Sequence, residues 1–282
     1  MDARQSNGRP ASESPEPVGR IFITLSFLLR VMGTSNTQFP SAGESAMEVL
    51  KVDSLAKSFG SRHAVRGVSF GVATGETVAF LGPNGAGKST TLRMIAGFLE
   101  PDAGDAVING SSILTARTKA QLSLGYLAEG APLYLDLSVS DFLGFLARTH
   151  GLARSAARAA IARVAQDASI ADVLSRPIET LSKGYRRRVA LAGAIVHDPP
   201  VLILDEPTDG LDPNQKMAMR ALIARMSATK AILISTHQLD EVEAMCSRAV
   251  VIDRGELKAD ATPAELAMRT PSGKLEDAFY AL

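Results

Sequence analysis

The sequence predicts an α/β fold with a mostly parallel core sheet. Thr77-Val-Ala-Phe-Leu81 is a short apolar run with β-branched members, a buried-strand candidate. Val201-Leu-Ile-Leu204 is another, spelled as a strand covered on both faces is spelled, and Ala231-Ile-Leu-Ile234 is a third. Behind the first run, Leu92, Ile95, Ala96 and Leu99 recur at helical spacing. The 282 residues, 46% of them hydrophobic, suffice for one large domain, or for a domain with a subdomain and a tail.

Composition narrows the function. Lys plus Arg and Asp plus Glu are both 30, so the basic excess usual in nucleic-acid binders is missing and no nucleic-acid partner is expected. The single cysteine, Cys246, rules out an intrachain disulfide and fits a reducing compartment. No run of about twenty apolar residues occurs, so no helix is expected to span a bilayer.

Residues 1–20 are rich in Ser, Pro, Glu, Gly and Arg, a composition typical of disorder. The apolar run Ile21 to Met32, interrupted by Arg30, would rise only about 18 Å as a helix, too short to cross the membrane. A signal peptide has this length of apolar core, but Asp2 and Glu13 precede it. An interfacial anchor is a second reading. The third, which is preferred, is that the working protein starts at Met47, where Met-Glu-Val-Leu-Lys-Val reads as a first strand. Residues 1–46 are then a disordered or non-native extension and 47–282 the folded domain.

Gly82-Pro-Asn-Gly-Ala-Gly-Lys-Ser-Thr90 follows the first strand and opens the helix, the context that the G-x-x-x-x-G-K-[ST] pattern requires. Gly82, Gly85 and Gly87 let the backbone turn so that successive N–H groups cradle phosphate oxygens, and the helix N-terminus adds partial positive charge. Lys88 supplies a full charge to the β- and γ-phosphates, and the Ser89 hydroxyl suits Mg²⁺. The strand Val201–Leu204 ends in Asp205-Glu206-Pro207, at the carboxyl edge where parallel sheets build sites. An apolar strand ending in two acids is common alone; after a phosphate loop, Asp205 suits Mg²⁺ held through water and Glu206 suits orienting or deprotonating the attacking water.

Four more segments resemble the ATP-binding-cassette (ABC) family. Leu181-Ser-Lys-Gly-Tyr185 is similar to the signature segment, usually Leu-Ser-Gly-Gly-Gln. Thr208-Asp-Gly-Leu-Asp212 resembles the D-loop, and Ser235-Thr-His237 the switch histidine. Phe59 stands in Lys57-Ser-Phe-Gly60, where the family places an aromatic residue for adenine. The resemblance covers about residues 48 to 282, and the motifs keep the family's order and spacing.

The resemblance implies an ATPase subunit of an ABC transporter using ATP and Mg²⁺. Its fold would have a P-loop NTPase core, an N-terminal antiparallel β portion and a helical subdomain at about 130–185. Phe59 would stack on adenine; Gly82, Pro83, Asn84, Gly85, Ala86, Gly87, Lys88, Ser89 and Thr90 would hold the phosphates. Glu206 would be the catalytic base and His237 the γ-phosphate sensor. Ser182 and Gly184, at a helix start, would reach the γ-phosphate on a second subunit, so two copies or near-copies would enclose two ATP molecules. A separately encoded permease would hold the chain peripherally at the cytoplasmic face of the membrane.

There are departures. Glu129 in Leu124-Gly-Tyr-Leu-Ala-Glu129 stands where the family has a metal-contacting Gln, and Ala128 replaces the usual Pro. A carboxylate can bind Mg²⁺, so Glu129 joins Ser89 and Asp205 as a metal candidate. Lys183 and Tyr185 also depart, and with the ending Leu275-Glu-Asp-Ala-Phe279 they resemble cassettes serving two-component exporters. Leu137, Phe142, Phe145 and Leu146, then an Ala/Arg-rich stretch with Arg154, Arg158 and Arg163, read as helices with a solvated face or a contact for anionic lipid or permease. Arg186, Arg187 and Arg188 oppose the helix dipole; they suit ATP approach, or equally a structural or dimer-stabilising role. His63, His150 and His197 have no ligand-like spacing. Between the phosphate loop and Leu181 no heptads persist, which excludes the long-coil chromosome-maintenance ATPases. A single phosphate loop argues against tandem ribosome-acting cassettes, and a plain nucleotide kinase would leave Leu181 to Gly184 unemployed.

Overall fold

A computed structural model describes residues 48–130 and 133–281. The readings made above for residues 1–46, including the start at Met47, lie outside the described residues. Strands β1 (Glu48–Phe59), β2 (Arg62–Ala73), β4 (Ala103–Ile108) and β5 (Ser111–Ser112) form an antiparallel sheet in the order β2-β1-β4-β5. The second sheet has the order β10-β9-β3-β8-β7-β6, from β3 (Thr77–Leu81), β6 (Leu124–Leu127), β7 (Val201–Asp205), β8 (Ala231–Ser235), β9 (Arg248–Asp253) and β10 (Glu256–Ala261). Its pairs are parallel except β9 with β10.

Burial explains why the central strands carry unbroken apolar runs. Every residue of β3, β7 and β8 is buried. Successive side chains on a strand face opposite ways. Val78, Phe80, Val201, Ile203 and Leu233 therefore join one core, with Leu50, Val52, Val68 and helix α1 (Lys88–Ile95). Leu202, Leu204, Ile232 and Ile234 point into another, with Phe142, Leu143, Val164 and Leu191. Each such side chain contributes roughly 1.5–3 kcal/mol of burial, so neither face of these strands tolerates a charge.

After α2 (Arg117–Leu122), the expected helical region contains α3 (Val139–Thr149), α4 (Arg154–Asp167), the 3-10 turns Ala171–Val173 and Ile178–Thr180, and the start of α5 (Lys183–Ile195). Ser138 caps α3, its Oγ accepting from Asp141 N at 3.1 Å. Helix α5 does not stop near 185; Val189, Leu191 and Ile195 continue into the core beneath Leu202 and Leu204. Arg154 and Arg158 are exposed, whereas Arg163 donates to the Ile195 and Val196 carbonyls at 3.2 and 3.3 Å, a cation at the C-terminus of α5. Helices α6 (Pro213–Ser227), α7 (Leu239–Met245), α8 (Pro263–Ala267) and α9 (Leu275–Ala281) complete the chain. Among the described residues no helix is long and apolar enough to cross a membrane.

Candidate functional site

The carboxyl ends of β3, β7 and β8 carry the site. Leu81 ends β3, the glycine loop turns, and Lys88 opens α1. Gly87 adopts φ 109, and a Cβ there would meet the Ala64 carbonyl; one on Gly82 would meet that of Ile252. The first turn of α1 has no acidic residue and no side-chain cap, which leaves its N–H groups for an anion. Lys88 lies buried along the loop, its Nζ donating to Gly82 O at 2.5 Å and Pro83 O at 3.2 Å. Burial pushes its ammonium below the usual range, against the pull of Glu206, Asp205 and Glu129.

Asp205 closes β7 and is 3% exposed. Glu206 follows at φ 50, a left-handed turn uncommon outside glycine, held by its N–H on Ser235 O at 2.9 Å. Its Oε1 lies 2.8 Å from His237 Nδ1, while its buried Oε2 has no hydrogen-bond partner. Burial raises the pKa of both carboxyls, and the His237 contact draws that of Glu206 back down.

Two cavities meet at the phosphate loop. The smaller, about 210 Å³, is lined by Phe59, Arg62, Pro83, Asn84, Gly85 and Lys88, among others; Gly87, Ser89 and Thr90 also face it. A two-residue hairpin, with Gly60 at φ 60, puts half-exposed Phe59 there. The larger, about 800 Å³, is lined by Asn84, Glu129, Glu206 and His237 and by a wall of cations, Lys183, Arg186 and Arg187. Ala86 is buried beneath the loop. Ser182 and Gly184 line neither cavity. Ser182 caps α5, accepting from Tyr185 N at 3.4 Å, and Gly184 packs against Gln215, where a Cβ would displace the flexible end of that side chain.

The chemistry of the donor set would suit a divalent ion. Among the described residues no three His, Cys, Asp or Glu side chains cluster into a closed cage. Magnesium binds through one or two carboxylates with phosphate and water, which suits Asp205, Ser89 and the exposed Glu129 around a phosphate loop.

Several residues beside the site take parts that the sequence left open or gave no sign of. The three arginines of α5 each staple a different segment: Arg186 to Ile178 O and Glu179 O, Arg188 to Ser169 O, and Arg187 to Ala128 and residues 205–207. A signal existed, since Arg187 lies on the buried stripe Gly184, Arg187, Leu191, Ile195. Asp209 pairs with Lys183 at 3.2 Å, both exposed. His150 and His197, unremarkable by spacing, stack with ring centroids 3.5 Å apart.

The ABC transporter family model matches residues 65–209. The "Probable multidrug ABC transporter ATP-binding protein YbhF" of Escherichia coli is 33% identical across the whole chain, which spans about half (50%) of that relative's length. The "Nod factor export ATP-binding protein I" of Ralstonia nicotianae is 36% identical over 81% of this chain and 72% of its own. A solved structure described as the ATP-binding subunit of an ABC transporter superposes with a TM-score of 0.77 at 29% identity, covering 83% of this chain and 98% of that one.

Proposed function

This chain belongs to the ABC transporter family, and from that premise we propose that it is an ATPase in which Glu206 and His237 act together on the water that attacks ATP. The observation that carries the proposal is the division of labour on one carboxylate. Oε1 is held by His237, and Oε2 is buried and unpartnered on a residue that lines the larger cavity. With Glu206 ionised, Nδ1 of His237 is the donor, and Oε2 is the atom that accepts the water's proton. The bound divalent ion would neutralise developing charge on the phosphates, held by Asp205, Ser89 and Glu129. Lys88 and the loop N–H groups bind the phosphates, and Phe59 covers the adenine.

Ser182 and Gly184 serve a nucleotide on a second copy or near-copy. The exposure of Ser182 on the cap of α5 supports this. The assembly drives a separate membrane permease, and the names of the relatives support export. Glu206→Gln with ATP and Mg²⁺ is expected to sediment as a dimer and the ATP-free protein as a monomer. A variant that binds ATP yet stays monomeric at every concentration would remove the shared site.

A further inference from the structure

We propose that Arg187 is a positioning residue that holds the catalytic turn, tying the helix that begins at Ser182 to the backbone of both Glu206 and the Glu129 segment. The inference rests on the ATPase reading above. Arg187 is 6% exposed. Its Nε donates to Pro207 O at 3.3 Å, its Nη1 to Ala128 O at 3.1 Å, and its Nη2 to the carbonyls of both Asp205 and Glu206. No carboxylate lies within ion-pair distance of it among the described residues. Burial lowers its pKa, while Asp205, Asp209, Glu206 and Glu129 pull the other way at longer range. A buried guanidinium satisfied by carbonyls alone is costly unless its geometry is required.

The arrangement is specific to the turn. Consecutive carbonyls on a strand point to opposite sides, so 205 and 206 could not converge on one nitrogen if β7 ran straight on. The left-handed conformation of Glu206 turns them together, and the planar fork closes on them. The fourth acceptor, Ala128, precedes Glu129, so one side chain sets the backbone of two of the carboxylates at the larger cavity. With four bonds to protein carbonyls and little exposure, Arg187 is not placed to bind phosphate; Lys183 and Arg186 are the accessible cations of that wall. A shift of α5 against the sheet would therefore move the Glu206 and Glu129 backbones together.

The test compares wild type, Arg187→Lys, Arg187→Met, Glu206→Gln and the double variant Glu206→Gln/Arg187→Lys in the full chain. Affinity is measured with a fluorescent ATP analogue, turnover is expressed per bound nucleotide, and thermal melting checks folding. Nucleotide affinity should stay within about twofold, because Arg187 does not line the Phe59 and Lys88 cavity. Turnover should fall about 10–100-fold in both Arg187 variants, since a lysine cannot span four carbonyls and small displacements of a catalytic group are that costly. If Arg187→Met does not fold, Arg187→Lys decides. In single turnover, Arg187→Lys should add less than its own full effect to Glu206→Gln, because part of what it does passes through Glu206 and only the rest through the Glu129 segment. Wild-type turnover in Arg187→Lys, full additivity in the double variant, or weakened affinity at unchanged turnover would each overturn the proposal. A wild-type protein that does not hydrolyse ATP would instead overturn the ATPase reading itself.

Discussion

His237 Nδ1 stands 2.8 Å from Glu206 Oε1, joining the ends of two neighbouring strands, and this contact lowers the proton affinity of the carboxylate against the larger effect of burial. Burial lifts the Glu206 pKa above its ordinary value and the histidine lowers it. Hydrolysis needs the ionised form, so the rate should fall as pH drops through a value above the ordinary range of a glutamate. In His237→Ala the downward contribution is lost, and the acid limb of the kcat profile should move to higher pH, with a fall of about 10²–10⁴-fold in rate if proton transfer is impaired. An acid limb that stays in place or moves to lower pH would separate the two residues.

Lys88 should be needed for affinity, because its ammonium is already desolvated and poised by two carbonyls. Removing a charged hydrogen bond costs about 1.5–3 kcal/mol, so Lys88→Ala should weaken ATP binding about 10- to 150-fold in equilibrium titration. Unchanged affinity with intact hydrolysis would place the phosphates elsewhere.

What was legible in the sequence was local. Gly82 to Thr90 and Asp205-Glu206 are contiguous, and their chemistry depends on spacing along one turn. The alternating cores were only half legible: an apolar run such as Val201–Leu204 announces burial but does not say that Leu202 and Val201 serve different cores. Arg187 was opaque because its acceptors are carbonyls, which carry no residue identity, and one lies 59 residues away. The stacking of His150 on His197 depends in the same way on where α3 ends relative to α5.

Backbone strain gives a stability test. Gly87 combines φ 109 with the Ala64 carbonyl close to where a Cβ would sit, whereas Gly110 at φ 74 opens onto free space. Gly110→Ala should cost roughly 1–2 kcal/mol from conformation alone. Gly87→Ala should cost more and disturb the phosphate loop. Urea unfolding of both variants measures the difference, and equal costs would mean that the loop yields without resistance.

The histidine stack should make stability fall in mild acid. Burial, then the neighbouring His150, brings the His197 pKa down to about 4, and burial lowers that of His150 too. Asp198 and its ion-pair partner Lys230 flank the pair. An unfolded histidine takes up its proton near about 6.5, so from there down the unfolded state binds protons that the folded state refuses. This contribution to stability is whole above that value and is lost progressively as pH falls towards 4. His197→Phe keeps a ring in the stack without titrating, and its melting temperature should decline less between pH 7.5 and 5. A decline equal to that of wild type would exclude the pair as the cause.

Glu241 should couple the Glu206 turn to the His237 turn. It is fully buried, and its carboxylate accepts from Thr208 Oγ1 and from Thr236 Oγ1, the latter at 3.1 Å, with Lys216 Nζ 4.0 Å away. Thr208 lies two residues beyond Glu206, and Thr236 immediately precedes His237, so one side chain anchors both segments that meet at the 2.8 Å contact. Glu241→Ala strands two buried hydroxyls, at about 1–3 kcal/mol each. Glu241→Gln keeps the shape but offers one acceptor oxygen for two donors, and should cost less. Both variants should lose hydrolysis while keeping nucleotide affinity, because Lys88 and Phe59 stand on other elements. Rates measured per bound nucleotide that match wild type, together with an unchanged urea midpoint, would show that the two turns hold their places without Glu241.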